Sequence, residues 1–111
     1  EEGEGVDQDS SKAFECYKKA AELGNSDSYN SLGIYYDQGI VVKQDYSKAF
    51  ECYQKSADLG NAGGLYDLAD CYERGVGVKK NLSKAIEYYQ KSADLGFEDA
   101  QEAIERLRNE K

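Results

Sequence analysis

The sequence contains no proline, tryptophan, methionine or histidine, and only three cysteines. Without histidine, serine or cysteine triads lose their usual general base, so hydrolytic chemistry of that kind has no proton carrier. Without methionine the chain does not open on an initiator residue. That predicts a processed or excised piece of something longer and leaves room for a working domain outside it. Cys16, Cys52 and Cys71 are odd in number and form no CxxC pair, which argues against a disulfide framework and a zinc ribbon. Reduced, partly buried thiols are the simplest reading. No apolar run approaches the roughly 20 residues of a membrane helix. No basic-then-apolar leader stands at the start, and the compartment is left open.

Cationic residues are outnumbered as well. A net charge of −8 opposes nucleic acid, whose binding depends on neutralising phosphates, and it disfavours an anionic membrane surface for the same reason. A partner of basic character is electrostatically matched, although acidic surface also simply keeps proteins dispersed. With 40% hydrophobic and 32% charged residues the chain lies in the range of folded globular proteins, so wholesale disorder is not expected.

What the sequence does contain is a repeat. Lys12-Ala13 recurs as Lys48-Ala49 and Lys84-Ala85, a step of 36 residues. Tyr17, Tyr53 and Tyr89 keep that step, as do Leu23-Gly24, Leu59-Gly60 and Leu95-Gly96. Between residues 12–47 and 48–83 nearly half the positions are identical with no gap, which marks a repeat architecture. Ala13, Cys16, Tyr17, Ala20, Ala21 and Leu23 fall at helical spacing. Asp9, Ser10 and Ser11 are suited to cap that helix, with Asp45 and Asn81 in the same place later. Gly24, Gly60 and Gly96 are placed to end these helices in a left-handed conformation. A second helix follows each glycine, where Leu32, Gly33 and Tyr36 recur as Leu68, Ala69 and Tyr72, with Ile104 at the leucine position of the last copy. Gly39 and Gly75 close it before loops containing Val42 and Val78.

The fold expected is all-α: an αα-superhelix, or solenoid, of helix-turn-helix repeats with six helices, because neither helix of a pair buries its apolar face alone. Residues 1–24 read as the second half of a preceding repeat, with Gly3, Gly5 and Val6 left from its loop. Residues 25–60 and 61–96 read as full repeats and 97–111 as a terminal capping helix. A stack opened in this way exposes an apolar end at residues 10–23 that could pair with a neighbour, so the oligomeric state stays open.

Ser28, Leu32-Gly33, Tyr36, Gly39, Val42, Asp45, Lys48-Ala49, Cys52-Tyr53, Lys55-Ser56-Ala57 and Gly60 together resemble the Sel-one-like repeat family, a relative of the tetratricopeptide repeats. The second copy is closer at the loop, with Gly75-Val76-Gly77-Val78. Cys16 and Cys52 depart from a position often held by an aromatic, as Tyr88 still does. The resemblance implies an adaptor in protein complexes, although fold by itself does not imply function.

By analogy with tetratricopeptide stacks, the helix after each Leu-Gly lines a concave groove. The residues between its core positions would then face a partner: Asp27, Asn30, Ile34 and Asp37, then Gly63, Tyr66, Asp70 and Glu73, then Asp99, Glu102, Arg106 and Asn109. These positions vary between copies where the core positions repeat, as expected if packing fixes the one set and ligand contacts the other. The groove is expected to be acidic, with Ile34 and Tyr66 as apolar anchors. Solvated faces of amphipathic helices are the plainer alternative for any one of them. Tyr17, Tyr36, Tyr53, Tyr72 and Tyr89 read as core by their spacing, while Tyr35 and Cys71 share a position that could face either way.

No catalytic, metal or cofactor site emerges. Gly75-Val76-Gly77-Val78 lacks the Gly-Lys-Ser/Thr of a phosphate loop and recurs at a repeat boundary, so an interhelix turn accounts for it. Asp7-x-Asp9-x-Ser11 opens like a calcium loop, but Lys12 and Lys18 stand where glycine and glutamate are needed. A reactive thiol at Cys71 lacks a neighbouring basic group. Cysteine-rich relatives have been linked to β-lactam binding or hydrolysis, yet they carry a regular cysteine pair in every repeat, which this chain does not. The reading is therefore a protein–protein interaction scaffold and not an enzyme, binding another protein or peptide, with no nucleic acid and no membrane insertion. The alternative is a structural spacer or regulatory arm of a larger protein.

Overall fold

The computed structural model describes residues 2–109, with side chains from Asp9 to Asn109. Six helices follow one another: α1 (Glu2–Glu22), α2 (Ser26–Gln38), α3 (Tyr46–Asp58), α4 (Ala62–Arg74), α5 (Leu82–Asp94) and α6 (Glu98–Asn109). No strand occurs among the described residues. Consecutive helices pack on each other, and α2 also meets α4 across the hairpin between them. The radius of gyration is 14.7 Å with extents of 48 × 26 × 23 Å. A compact chain of this length would give about 13 Å, so the stack is elongated, as a solenoid must be.

The helix boundaries follow from local chemistry. Asn25, Asp45, Asn61 and Asn81 each accept a hydrogen bond from the backbone N–H three residues on, at 2.8 to 3.0 Å, satisfying a donor that the first turn leaves orphaned. Gly24, Gly60 and Gly96 adopt φ of +92°, +83° and +93°, as their placement predicted. One expectation is overturned. Asp9, Ser10 and Ser11 do not cap α1 but lie inside it, and Gly3, Gly5 and Val6 belong to the helix backbone and not to a loop. In the later copy the corresponding loop is held from outside, since Gly77 sits against the Tyr46 carbonyl and Phe50. In α1 the corresponding peptide groups pair within the helix instead.

The core recurs with the repeat. Leu68, Ile104 and Tyr89 are essentially sealed from solvent. Tyr53 and Tyr72 are buried, while Tyr17 and Tyr36 are half-buried at the α1 end. Cys71 points fully inward, and Tyr35 packs on Phe14 and Tyr17 with ring centroids 5.7 and 5.8 Å away. Small residues bring the helices together. A Cβ on Gly33 would run into the Tyr53 ring, and one on Gly64 into the Ser56 hydroxyl. Ser56 and Ser92 are wholly buried, donating to the Ser26 and Ala62 carbonyls at 2.9 and 2.7 Å. The same tie is thus made twice, once per repeat.

One position carries visible strain. Val41 has φ +68°, where its counterpart Gly77 has +73°. A β-branched residue in the left-handed region costs about 1–2 kcal/mol. Val41→Gly is expected to raise stability by about 1 kcal/mol, because Val41 is 46% exposed and little packing is lost. A higher urea midpoint with an unchanged slope would show it; a lower midpoint would mean that the valine methyls contribute more than the strain costs.

Candidate functional site

The even-numbered helices form one layer, tied across repeats by charge. Arg74 of α4 reaches back to Asp37 of α2 at 3.7 Å and holds Asp70 of its own helix at 2.7 Å. Arg106 of α6 grips Glu73 of α4 through two nitrogens, at 2.7 and 3.0 Å. From the odd-numbered layer below, Tyr53 donates to Asp37 at 3.2 Å and Tyr89 to Glu73 at 2.8 Å. Each carboxylate closing an even helix is therefore held by a tyrosine beneath and an arginine from the next repeat. The Arg106 guanidinium, with help from the Tyr89 hydroxyl, holds the Glu73 carboxyl below its ordinary value.

The residues singled out in the sequence fall into three groups on this layer. Tyr66, Asp99, Glu102 and Arg106 converge, with Ala103, around a depression of about 320 Å³. The Tyr66 ring forms its floor, lying 5.3 Å from Tyr89 and 5.1 Å from Phe97 by centroid. Burial, with Asp70 next, pushes the Tyr66 phenol up. Asp99 and Glu102 are exposed and make no hydrogen bond or ion pair with other described residues. Asp37, Asp70 and Glu73 make the second group, each engaged by an arginine. Asn30 and Ile34 make the third, half-buried on α2, with Ile34 packed against the main core. Asp27 stands apart: at the start of α2 it accepts from the Asn61 side chain, which caps α4. Gly63 is half-buried beside Asn30, and Asn109 is exposed at the end of α6.

Two residues of this layer escaped the sequence reading. Arg74 neutralises much of what looked like free acidity; an arginine four residues after Asp70 on a helix was the available signal. Asp67 is the other. It is half-buried beside Asn30, and near Asp70 and Asp37. Burial, with Asp70 next, pushes its carboxyl up to about 7. Beside it the Asn30 Oδ1 is buried with no hydrogen-bond partner among the described residues. Its repeat counterparts are Ser31 and Ala103, so a carboxylate there breaks a row of small residues.

Cys16 is exposed, against the expectation of a partly buried thiol, and the other two cysteines offer little chemistry. Burial pushes the Cys52 thiol up to about 11 and the Cys71 thiol up to about 12, which holds both as poor nucleophiles. Among the described residues no three His, Cys, Asp or Glu side chains cluster as metal ligands. None of the described helices is long and apolar enough to cross a membrane.

The sequence pattern of the Sel1 repeat matches residues 1–25, 26–61 and 62–97. Among solved structures, a Sel1 repeat protein from Oxalobacter formigenes superimposes with a TM-score of 0.82 at 33% identity, covering 86% of this chain and 38% of that one. A protective antigen of uropathogenic Escherichia coli strains, displaying an SLR fold, gives 0.78 at 36% identity over 82% of this chain and 20% of that one. Cysteine-rich protein B of Helicobacter pylori gives 0.80 at 34% identity over 84% and 70%. The chain thus spans well under half the length of the first two. Among curated proteins, no relative matches. The recurring hairpins, their capped boundaries and these likenesses agree: the chain belongs to the Sel1 repeat family, whose helical repeats build scaffolds for interaction with other proteins.

Proposed function

We propose that the layer of α2, α4 and α6 takes up a segment of another protein, with a basic side chain seated in the depression over Tyr66. One observation carries this reading. Core positions repeat from unit to unit, whereas Tyr66, Glu102 and Arg106 do not, yet with Asp99 they converge around one hollow. The chemistry suits a lysine or arginine. An aromatic face attracts a cation, and Asp99 and Glu102 supply exposed carboxylates at its edge. Helices α2, α4 and α6 together carry nine carboxylates against three arginines, Arg74, Arg106 and Arg108, so an acidic excess remains after the internal ion pairs are made.

The test is capture from lysate of the source cell at low and physiological salt, with native protein beside a Tyr66→Ala, Asp99→Lys, Glu102→Lys variant confirmed folded by circular dichroism. A protein retained by the native form, lost from the variant and weakened by salt is the expected result. Identical retention by both forms would sink the assignment and favour the spacer role, since a spacer has no need of these side chains.

A further inference from the structure

A different face carries a second, independent reading. The chain is strongly acidic, yet the edge formed by the α2–α3 and α4–α5 loops and the first turns of α3 and α5 is basic. Lys43 and Lys48 occupy it in one repeat, Lys79, Lys80 and Lys84 in the next. In the two segments, residues 39–50 and 75–86, the only carboxylate is Asp45, and its oxygen is committed to capping α3 at Lys48 N, 3.0 Å away. In the second copy that position is the neutral Asn81. The two segments are neighbours in space, because Gly77 rests on the Tyr46 carbonyl.

None of the five lysines has a carboxylate partner among the described residues. Lys48 and Lys84 lie over the Tyr36 and Tyr72 rings, each 5.5 Å from the centroid, and Lys43, Lys79 and Lys80 are exposed. Apolar side chains stand among them: Val41, Tyr46 and Leu82 are 46, 43 and 45% exposed. A hollow of about 360 Å³ opens beside Lys43 and Lys48, walled by Tyr36, Val42, Gln44 and the capping Asp45. Toward α1 the edge turns acidic at Asp9, the counterpart of Asp45, so the band is confined to these two repeats.

We propose that this edge docks an acidic peptide segment whose carboxylates alternate with apolar residues. Unpaired lysines in a protein of net charge −8 mark a local inversion of the overall field, and interleaved half-exposed apolar groups give such a segment surface to bury. A membrane or a nucleic acid fits less well. Either presents an extended negative field that the acidic remainder of the protein repels, whereas a short segment feels mainly the band.

The probe is a short fluorescein-labelled peptide of repeated Glu-Glu-Leu, its anisotropy followed on titration with the whole chain. Saturable binding is expected, weakened severalfold between low and physiological salt. Lys43→Glu, Lys79→Glu, Lys80→Glu should weaken it at least about tenfold, with the neutral Lys→Gln triple falling between. The matched control is Lys19→Glu, Lys55→Glu, Lys91→Glu, which changes net charge equally in the last turns of α1, α3 and α5 and should leave binding within about twofold of native. Equal loss in both triples would reduce the effect to net charge and overturn the proposal. So would absence of peptide binding, including the case in which vesicles rich in phosphatidylserine bind where the peptide does not.

Discussion

Replacing Tyr89 by alanine is expected to cost about 3–5 kcal/mol, most of what a domain of this size commonly has to spare. The ring is 1% exposed and sits in the main core beneath Tyr66, so its removal leaves a cavity the two helix layers cannot close. Its hydroxyl contributes less. Tyr89→Phe deletes the 2.8 Å bond to Glu73, but Glu73 keeps both bonds from Arg106, and the expected loss is about 1 kcal/mol. Urea denaturation followed by far-ultraviolet circular dichroism separates the two. If phenylalanine proved as damaging as alanine, the Tyr89–Glu73–Arg106 network, and not ring packing, would hold α4, α5 and α6 together.

The second large effect concerns pH. Asp67 titrates near 7 in the folded chain against an ordinary value of 3.8. Between those values the folded state binds more protons than the unfolded one, so stability falls as pH rises through the window and levels off above it. Glu73 is shifted the other way, and its contribution is lost only at lower pH, below the ordinary carboxylate range. Asp67→Asn keeps the shape and the hydrogen-bonding capacity toward Asn30 while removing the charge that Asp37 and Asp70 oppose. At pH 8 the variant is expected to be more stable than native by on the order of 2 kcal/mol, the gap closing toward pH 5. A native protein whose urea midpoint does not fall between pH 5 and 8 would show that Asp67 is solvated and ionised throughout.

Both predictions centre on residues whose roles were unequally visible in the sequence. Tyr89 repeats Tyr17 and Tyr53 at the 36-residue step, and that recurrence marked it as core before any contact was known. Nothing comparable marked Asp67. It breaks a row otherwise held by Ser31 and Ala103, but a carboxylate on a helix is ordinarily solvated, and only the approach of α2 desolvates this one. The groove residues fared in between. Tyr66, Asp99, Glu102 and Arg106 do meet, whereas Asp27 is drawn off to the Asn61 cap and three carboxylates are taken by arginines.

The sequence by itself determined the helices, the Asp45 and Asn81 caps, the period and the core, because each depends on residues a turn or one repeat apart and identical packing demands identical side chains. Tertiary structure decided which charges remain free, since the Arg74–Asp37 and Arg106–Glu73 pairs join residues more than thirty positions apart on neighbouring helices. It also decided the length of α1. The first residues have the composition of a loop, but a loop of this kind is shaped by the helix it rests on, as Gly77 rests on the Tyr46 carbonyl, and from Glu2 onward the chain is helical instead.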